Sequence, residues 1–296
     1  DGYRAGYVGV VGLPNSGKST LVNALVGEKV SIVAARAQTT RQRITGILST
    51  DQAQYIFVDT PGLVKAEKGL NKFLQEEAEE VCQQSDLLLA VLNIDCDSQE
   101  KMDQVIEWVE QSKKPWVAII NKVDLPAKHR VLMLREKLSE RGKAVMTASA
   151  NNLGKDTKTE LLGAIREHLP NSPQPLFSTD LFTPQSVREL CAEFIREKCF
   201  RLLKQEIPYG LAVRVMKYKE EKIPKIYAEI LLAKPNYKSI VIGKDGELLK
   251  KIGSYARQDI EAFLGKKVFL DIHVTVKEKW MGNPMLMQEL GYVVSN

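Results

Sequence analysis

Apolar and polar positions alternate along this chain in two different rhythms, and the change of rhythm divides it. In the first half, unbroken apolar runs bounded by turn residues recur: "YVGVVG" from Tyr7, "YIFVD" from Tyr55, "DLLLAVLNID" from Asp86 and "PWVAIINKVD" from Pro115. Each reads as a strand buried on both faces. Between them lie stretches of helical period such as "LNKFLQEEAEEVCQQ" and "QEKMDQVIEWVEQS". Strands alternating with helices of about 10 to 15 residues predict an α/β domain, a mostly parallel sheet with helices on both faces. Ligands of such sheets sit at the carboxyl ends of the strands.

After "IREHLP" the pattern lapses. "NSPQPLFSTDLFTPQS" has no sustained period and several prolines, and reads as a linker over 171–187. Residues 1–170 are therefore expected to form one domain and residues 188–296 another. In the second, "SVRELCAEFIREKCFRLLKQE" is helical, "GLAVRVMKYK" and "KIYAEILLA" are strand-like, "GELLKKIGSYARQDIEAFLG" is helical and "KKVFLDIHVTVK" is a strand. The order is α-β-β-α-β, with room for a short helix near Lys238. The closing "NPMLMQELGYVV" reads as a short amphipathic helix laid over a surface.

Charge sharpens the division. Residues 1–170 carry 22 basic and 22 acidic side chains and residues 171–296 carry 20 and 15, so the whole net charge of +5 lies in the second part. A basic module joined to a neutral one points to a polyanionic partner for the basic module alone. No apolar run approaches the roughly 20 residues that span a bilayer, and the start shows no signal-peptide pattern, so a soluble, cytoplasmic chain is expected. Cys82, Cys96, Cys191 and Cys199 show no C-x-x-C spacing, which argues against zinc or a disulfide framework and for inert thiols.

The chemistry lies at the strand ends. Gly12-Leu13-Pro14-Asn15-Ser16-Gly17-Lys18-Ser19 fits G-x-x-x-x-G-K-[ST], between a strand and the helical "TLVNALVG". Its glycines let backbone N–H groups converge on phosphates, Lys18 neutralises β and γ charge, and the Ser19 hydroxyl suits Mg²⁺. Asp59 ends the next strand, where a carboxylate reaches the Mg²⁺ shell, and Gly62 of "DTPG" can offer its N–H to a γ-phosphate. "NKVD" follows a further strand: Asn121 and Lys122 are expected to brace a purine and its loop, and Asp124 to accept from guanine N1 and N2. Adenine lacks that donor pair, so the nucleotide is read as GTP or GDP. Ser149-Ala150-Asn151, after "AVMTAS", sits where a backbone N–H can meet guanine O6. With Gly12, Asn15, Ser16, Gly17, Lys18, Ser19 and Thr20 around the phosphates, these residues make up the expected nucleotide site.

In these motifs, "GLPNSGKST", "ARAQTTRQR", "DTPGL", "NKVD" and "SANN", the chain resembles the GTPases of the translation-factor-related class, and within it the Era-type GTPases, which carry an RNA-binding tail. The resemblance runs from about Tyr7 to Tyr292. It implies a P-loop GTPase followed by an α+β type II KH domain. It also accounts for Leu63, which stands where many GTPases place a water-orienting glutamine: Era-type members carry a hydrophobic residue there. It implies that a K⁺ ion held by Asn15 and the first switch supplies charge in place of an arginine finger, against a plainer role for Asn15 as a turn residue. It implies that Thr40, or else Thr39, closes on Mg²⁺. Arg41 and Arg43 are candidates for internal fingers or for a solvated basic face.

In the basic module, Gly243-Lys244-Asp245-Gly246 is the G-x-x-G of a KH loop, which lets an RNA backbone approach. Ile242, Lys244, Lys250 and Lys251 are expected to help hold single-stranded RNA, although Lys250 and Lys251 point about 100° apart on a helix. Asp245 brings negative charge into that loop and is expected either to lie near RNA or to cap the following helix. By resemblance the RNA is the 3′ end of small-subunit rRNA, the partner is the 30S subunit during maturation, and the chain acts as a monomer. A peripheral membrane association is attributed to such proteins. The rival from a different class is a membrane or cell-cycle signalling GTPase whose basic tail binds lipid or protein.

Overall fold

The computed structural model describes residues 2–31, 43–62, 69–96, 98–126, 128–141, 145–204 and 206–292. They form two compact units, one reaching to Pro184 and the other beginning at Gln185.

The first unit is a six-stranded sheet of β1 (Arg4–Gly12), β2 (Ile44–Ser49), β3 (Ala53–Asp59), β4 (Leu87–Asn93), β5 (Trp116–Asn121) and β6 (Val145–Thr147), in spatial order β2-β3-β1-β4-β5-β6. All pairings are parallel except β2 with β3. The apolar runs are strands because both faces are covered: every residue of β3, β4 and β5 is buried. Helices α1 (Lys18–Val26), α2 (Gly69–Gln84), α3 (Gln99–Gln111), α4 (Lys128–Glu140) and α5 (Lys155–His168) connect and cover them. Val8, Val10 and Leu89 pack on one side with Leu21, Leu25 and Ile165, while Leu88, Ala90 and Ile120 pack on the other with Ile106, Val109 and Leu138. Strand order reverses around the central β1, so the β1–α1 turn lies at the crevice where such sheets bind ligands.

β2 is not among the strands that the apolar runs predict. It is an edge strand, and the stretch at Phe182, within residues expected to form a linker, lies along it. The Ile47 N–H donates to Phe182 O at 2.8 Å. The buried Gln54 side chain exchanges two hydrogen bonds with the Phe177 backbone, both 2.9 Å. Covering an exposed edge in this way removes a template for aggregation. The prolines of this segment signal an absence of regular structure, and that does not imply an absence of contacts.

The second unit runs α6 (Val187–Leu202), β7 (Leu211–Lys219), β8 (Lys225–Leu232), α7 (Tyr237–Ile242), α8 (Glu247–Leu264), β9 (Phe269–Val276) and α9 (Pro284–Glu289). β7 and β8 are antiparallel, and β8 and β9 are parallel. This is the α-β-β-α-β order of a type II KH domain with the short helix near Lys238 present. α6 opens on a capping box between Ser186 and Glu189. Trp280, fully buried, donates its indole N–H to Gly210 O at 3.1 Å and stacks on Tyr292. Among the described residues no helix is long and apolar enough to cross a membrane. Burial pushes the thiols of Cys191 and Cys199 up to about 12, as inert core cysteines require.

Candidate nucleotide site and nucleic-acid groove

The turn from β1 into α1 is held by contacts that leave little freedom. Asn15 and Gly17 both adopt positive φ, 63° and 98°. Asparagine tolerates this region, and at Gly17 a Cβ would also fall 2.1 Å from Asn121 Nδ2. Ser16 is fully buried, and its Oγ has no hydrogen-bond partner among the described residues. An unpaired buried hydroxyl in a turn of converging amides suits an anionic ligand. Lys18 is nearly buried and bends back to Leu13 O at 2.7 Å and Gly12 O at 3.3 Å. Desolvation lowers its ammonium to about 8, against the attraction of Asp59. A phosphate at this turn would restore the missing counter-charge.

Asp59 closes β3 and is fully buried. Its Oδ2 accepts from Ser19 Oγ at 2.5 Å and from Ser31 Oγ at 2.6 Å. The oxygens of Ser19 and Asp59 fit Mg²⁺, which takes few protein ligands and completes its shell with phosphate and water. Thr60, unremarked in the sequence, is fully buried and donates from Oγ1 to Val10 O at 2.8 Å, pinning "DTPG" to β1. Gly62 then lies against the phosphate turn, where a Cβ would sit 2.5 Å from Pro14 N.

Asn121 is the joint of the site. Its Nδ2 donates to Ser16 O and its Oδ1 accepts from the Ala150 N–H, both at 2.9 Å. One buried amide thus ties the phosphate turn to the loop after β6. The Ala150 N–H, one of the backbone donors of the Ser149–Asn151 stretch, is held by Asn121 because a buried side-chain carbonyl needs a donor. Ser149 precedes the short helical turn of Ala150–Asn152, with Asn151 exposed. Lys122, at positive φ, pairs with Asp95 at 2.6 Å. Burial alone would raise the Asp95 carboxyl, yet hydrogen bonds from Asn93 and Lys122 hold it below its ordinary value. Asp124 is exposed just beyond, and Thr20 is half-buried in the first turn of α1.

Thr39, Thr40, Arg41 and Leu63 lie outside the described residues. Arg43, half-buried, is held by ion pairs with α2, through Glu77 at 3.1 Å and Glu80 at 2.6 Å.

In the second unit the G-x-x-G joins α7 to α8. Gly243 has φ 75° and ψ 176°, and a Cβ there would meet Leu248 Cβ at 2.8 Å. Gly246 has φ 76°, but a Cβ there would meet nothing within 4 Å. Lys244 and Asp245 are exposed, and Asp245 itself is left-handed. Asp245 does not cap α8: the position before the helix is Gly246, with no side-chain cap. A groove of about 420 Å³ opens beside the loop, lined by Gly246, Leu249, Lys250, Gly253, Ser254, Arg257, Leu270 and Ile272. Lys250 lines it. Lys251 and Ile242 do not: the Lys251 ammonium sits 5.9 Å above the Tyr255 ring, and Ile242 ends α7 half-buried. Gly253 and Arg257 were legible in principle, because a glycine inside a helical pattern marks a close approach and both share the helix face of Lys250.

Comparison with known proteins agrees with this geometry. A family profile described as "50S ribosome-binding GTPase" matches residues 7–122, and a KH-domain profile matches residues 206–281. The GTPase Era of Clostridium botulinum (strain Hall) is 40% identical over 299 residues, 98% of each chain. The chain belongs to the Era family of GTPases. Era of Syntrophus aciditrophicus is 38% identical, covering 98% of this chain and 95% of its own. A solved Era structure from Aquifex aeolicus, a single-site variant bound to GDP.AlF4-, superposes with a TM-score of 0.91 at 34% identity, covering 98% and 100%. Another, Era in complex with MgGDPNP and nucleotides 1506-1542 of 16S ribosomal RNA, superposes at 0.92 and 34%, covering 99% and 100%. Within the Era family the P-loop, "DTPG" and "NKVD" of this chain thus stand at the strand ends, and its G-x-x-G stands beside an open groove.

Proposed function

We propose that this Era-family chain is a GTP-hydrolysing switch that binds single-stranded RNA at the 3′ end of small-subunit rRNA and assists 30S subunit maturation in the cytoplasm, as a monomer. The observation that carries this reading is the pairing, in one chain, of a braced phosphate turn with a basic groove beside an open G-x-x-G. Ser16, Gly17 and Lys18 would cradle the phosphates, Ser19 and Asp59 would hold Mg²⁺, and Asp124 would read guanine. Mg²⁺, when bound, neutralises charge between the β- and γ-phosphates. Lys18 is held for the same purpose, and Gly62 lies close enough to the turn to present its N–H to a γ-phosphate. Neither needs a glutamine. We place Asn15 as a ligand of K⁺, since it is exposed on the phosphate turn at positive φ.

In the groove, Lys250 and Arg257 supply phosphate contacts, while Leu249, Leu270 and Ile272 offer an apolar floor for bases. The test is binding of a 3′-end oligonucleotide and a scrambled control, with GTP analogue, with GDP and without nucleotide, at one salt concentration. Specific binding that tightens with the GTP analogue is expected. Binding indifferent to sequence in every state would overturn the ribosomal reading and favour a signalling switch. Hydrolysis should be slow and faster in K⁺ than in Na⁺, with Asn15→Ala erasing the difference; equal wild-type rates in the two salts would remove K⁺.

A further inference from the structure

Ser31 has no counterpart among the nucleotide motifs, yet it is 1% exposed and touches the carboxylate on which the metal reading depends. Its Oγ donates to Asp59 Oδ2 at 2.6 Å, the same oxygen that Ser19 Oγ reaches at 2.5 Å. Its backbone is fixed with unusual completeness. Asn23 Oδ1, from α1, accepts from both the Val30 N–H and the Ser31 N–H at 2.9 Å, and Asn23 Nδ2 donates to Ser31 O at 2.7 Å. A single α1 side chain therefore sets where the Ser31 hydroxyl stands.

From this clasp we infer that Ser31 is a positioning residue for Mg²⁺: it orients Asp59, with Asn23 orienting Ser31. The physical argument is one of competing demands on Ser19. A hydroxyl that turns a lone pair to a metal must still aim its proton, so the Ser19 contact to Asp59 shifts as Ser19 meets the metal. A second donor on the same oxygen, held from α1, fixes the carboxylate independently. Charge-assisted hydrogen bonds of this kind are short and directional, and outer partners of metal ligands are commonly worth about 10- to 100-fold in metal affinity. The clasp lies at the root of the segment that leads to Thr39 and Thr40, so the chain entering the first switch is anchored to the same helix that begins at Lys18.

The inference rests on the GDP–Mg²⁺ reading of the site, and its test separates the two. Release of a fluorescent GDP analogue is followed over a Mg²⁺ titration for wild type, Ser31→Ala, Ser31→Thr and Asn23→Ala, with binding in EDTA measured alongside. We expect the Mg²⁺ concentration for half-maximal slowing of release to rise about ten-fold in Ser31→Ala. It should rise less in Asn23→Ala, and Ser31→Thr should restore it, while affinity in EDTA changes less than two-fold. Unchanged Mg²⁺ dependence in a folded Ser31→Ala protein would overturn the inference. So would an equal loss in EDTA, which would make Ser31 merely structural. Should Ser31→Ala not fold, Ser31→Cys, a weak donor of similar size, takes its place with the same two outcomes. A wild-type chain that binds no GDP analogue would overturn the site reading itself.

Discussion

Two glycine loops in this molecule are read as meeting phosphate, and they are built on opposite plans. In the β1–α1 turn the glycines are demanded by the protein's own atoms: a Cβ at Gly17 would strike Asn121, and one at Gly12 would fall 2.5 Å from Val91 O. The turn is cross-braced by Asn121 and encloses a buried serine. In the G-x-x-G, Gly243 is similarly demanded by Leu248, but Gly246 faces open space. Glycine at that position makes room for something other than the protein itself. A small ligand held on all sides calls for a site organised before it arrives, whereas a polymer passing through calls for an open edge beside a groove.

The contrast predicts a graded set of failures. Gly17→Ala meets both a forbidden φ and a collision, so GDP binding measured by calorimetry should fall by more than about 100-fold, with the second unit's melting unchanged. Asn121→Ala leaves Ser16 O and the Ala150 N–H without their partner. At about 1–3 kcal/mol for each buried group, GDP should bind about 100-fold more weakly. Gly246→Ala should weaken RNA binding about ten-fold through its left-handed backbone and a methyl in the path of the strand, for a stability loss of about 1–2 kcal/mol by thermal melting.

The smallest effect is one of pH. Lys18 is held at about 8 chiefly by desolvation, so without nucleotide its burial disfavours the folded state below that value, and the penalty is relieved as pH rises toward the ordinary lysine range. Phosphate raises the ammonium again. GDP binding should therefore take up protons above about pH 8 but not at pH 6.5, which calorimetry in buffers of different ionisation enthalpy reads directly. Affinity should weaken by a few-fold from pH 7.5 to 8.5.

These features were unequally legible in the sequence. Strands β1, β3, β4 and β5 were evident because parallel strands buried on both faces are unbroken apolar runs, and the phosphate and base motifs announce themselves by spacing. β2 was not, since "ITGILS" is short and mixes glycine and threonine with its apolar residues. Neither the strap at Phe177 and Phe182 nor the clasp at Asn23 and Ser31 has a periodic signature: each depends on which backbone groups the fold leaves unpaired. Of the two roles open to Asp245, beside RNA or capping the following helix, the cap is not made, because its own left-handed backbone puts Gly246 at that position. For Lys250 and Lys251 the helical angle showed only that they point apart, and the packing that puts Lys250 along the groove and Lys251 over Tyr255 has no periodic signature.

The most direct test of the account is a crossed titration on full-length Asn121→Ala and Gly246→Ala, each with GDP and with the 3′-end oligonucleotide, the RNA arm run without nucleotide at fixed salt. The account predicts that Asn121→Ala loses GDP and keeps its preference for the oligonucleotide over a scrambled control, while Gly246→Ala loses RNA and keeps GDP. Loss of RNA binding in Asn121→Ala, or an RNA affinity untouched by Gly246→Ala, would contradict it.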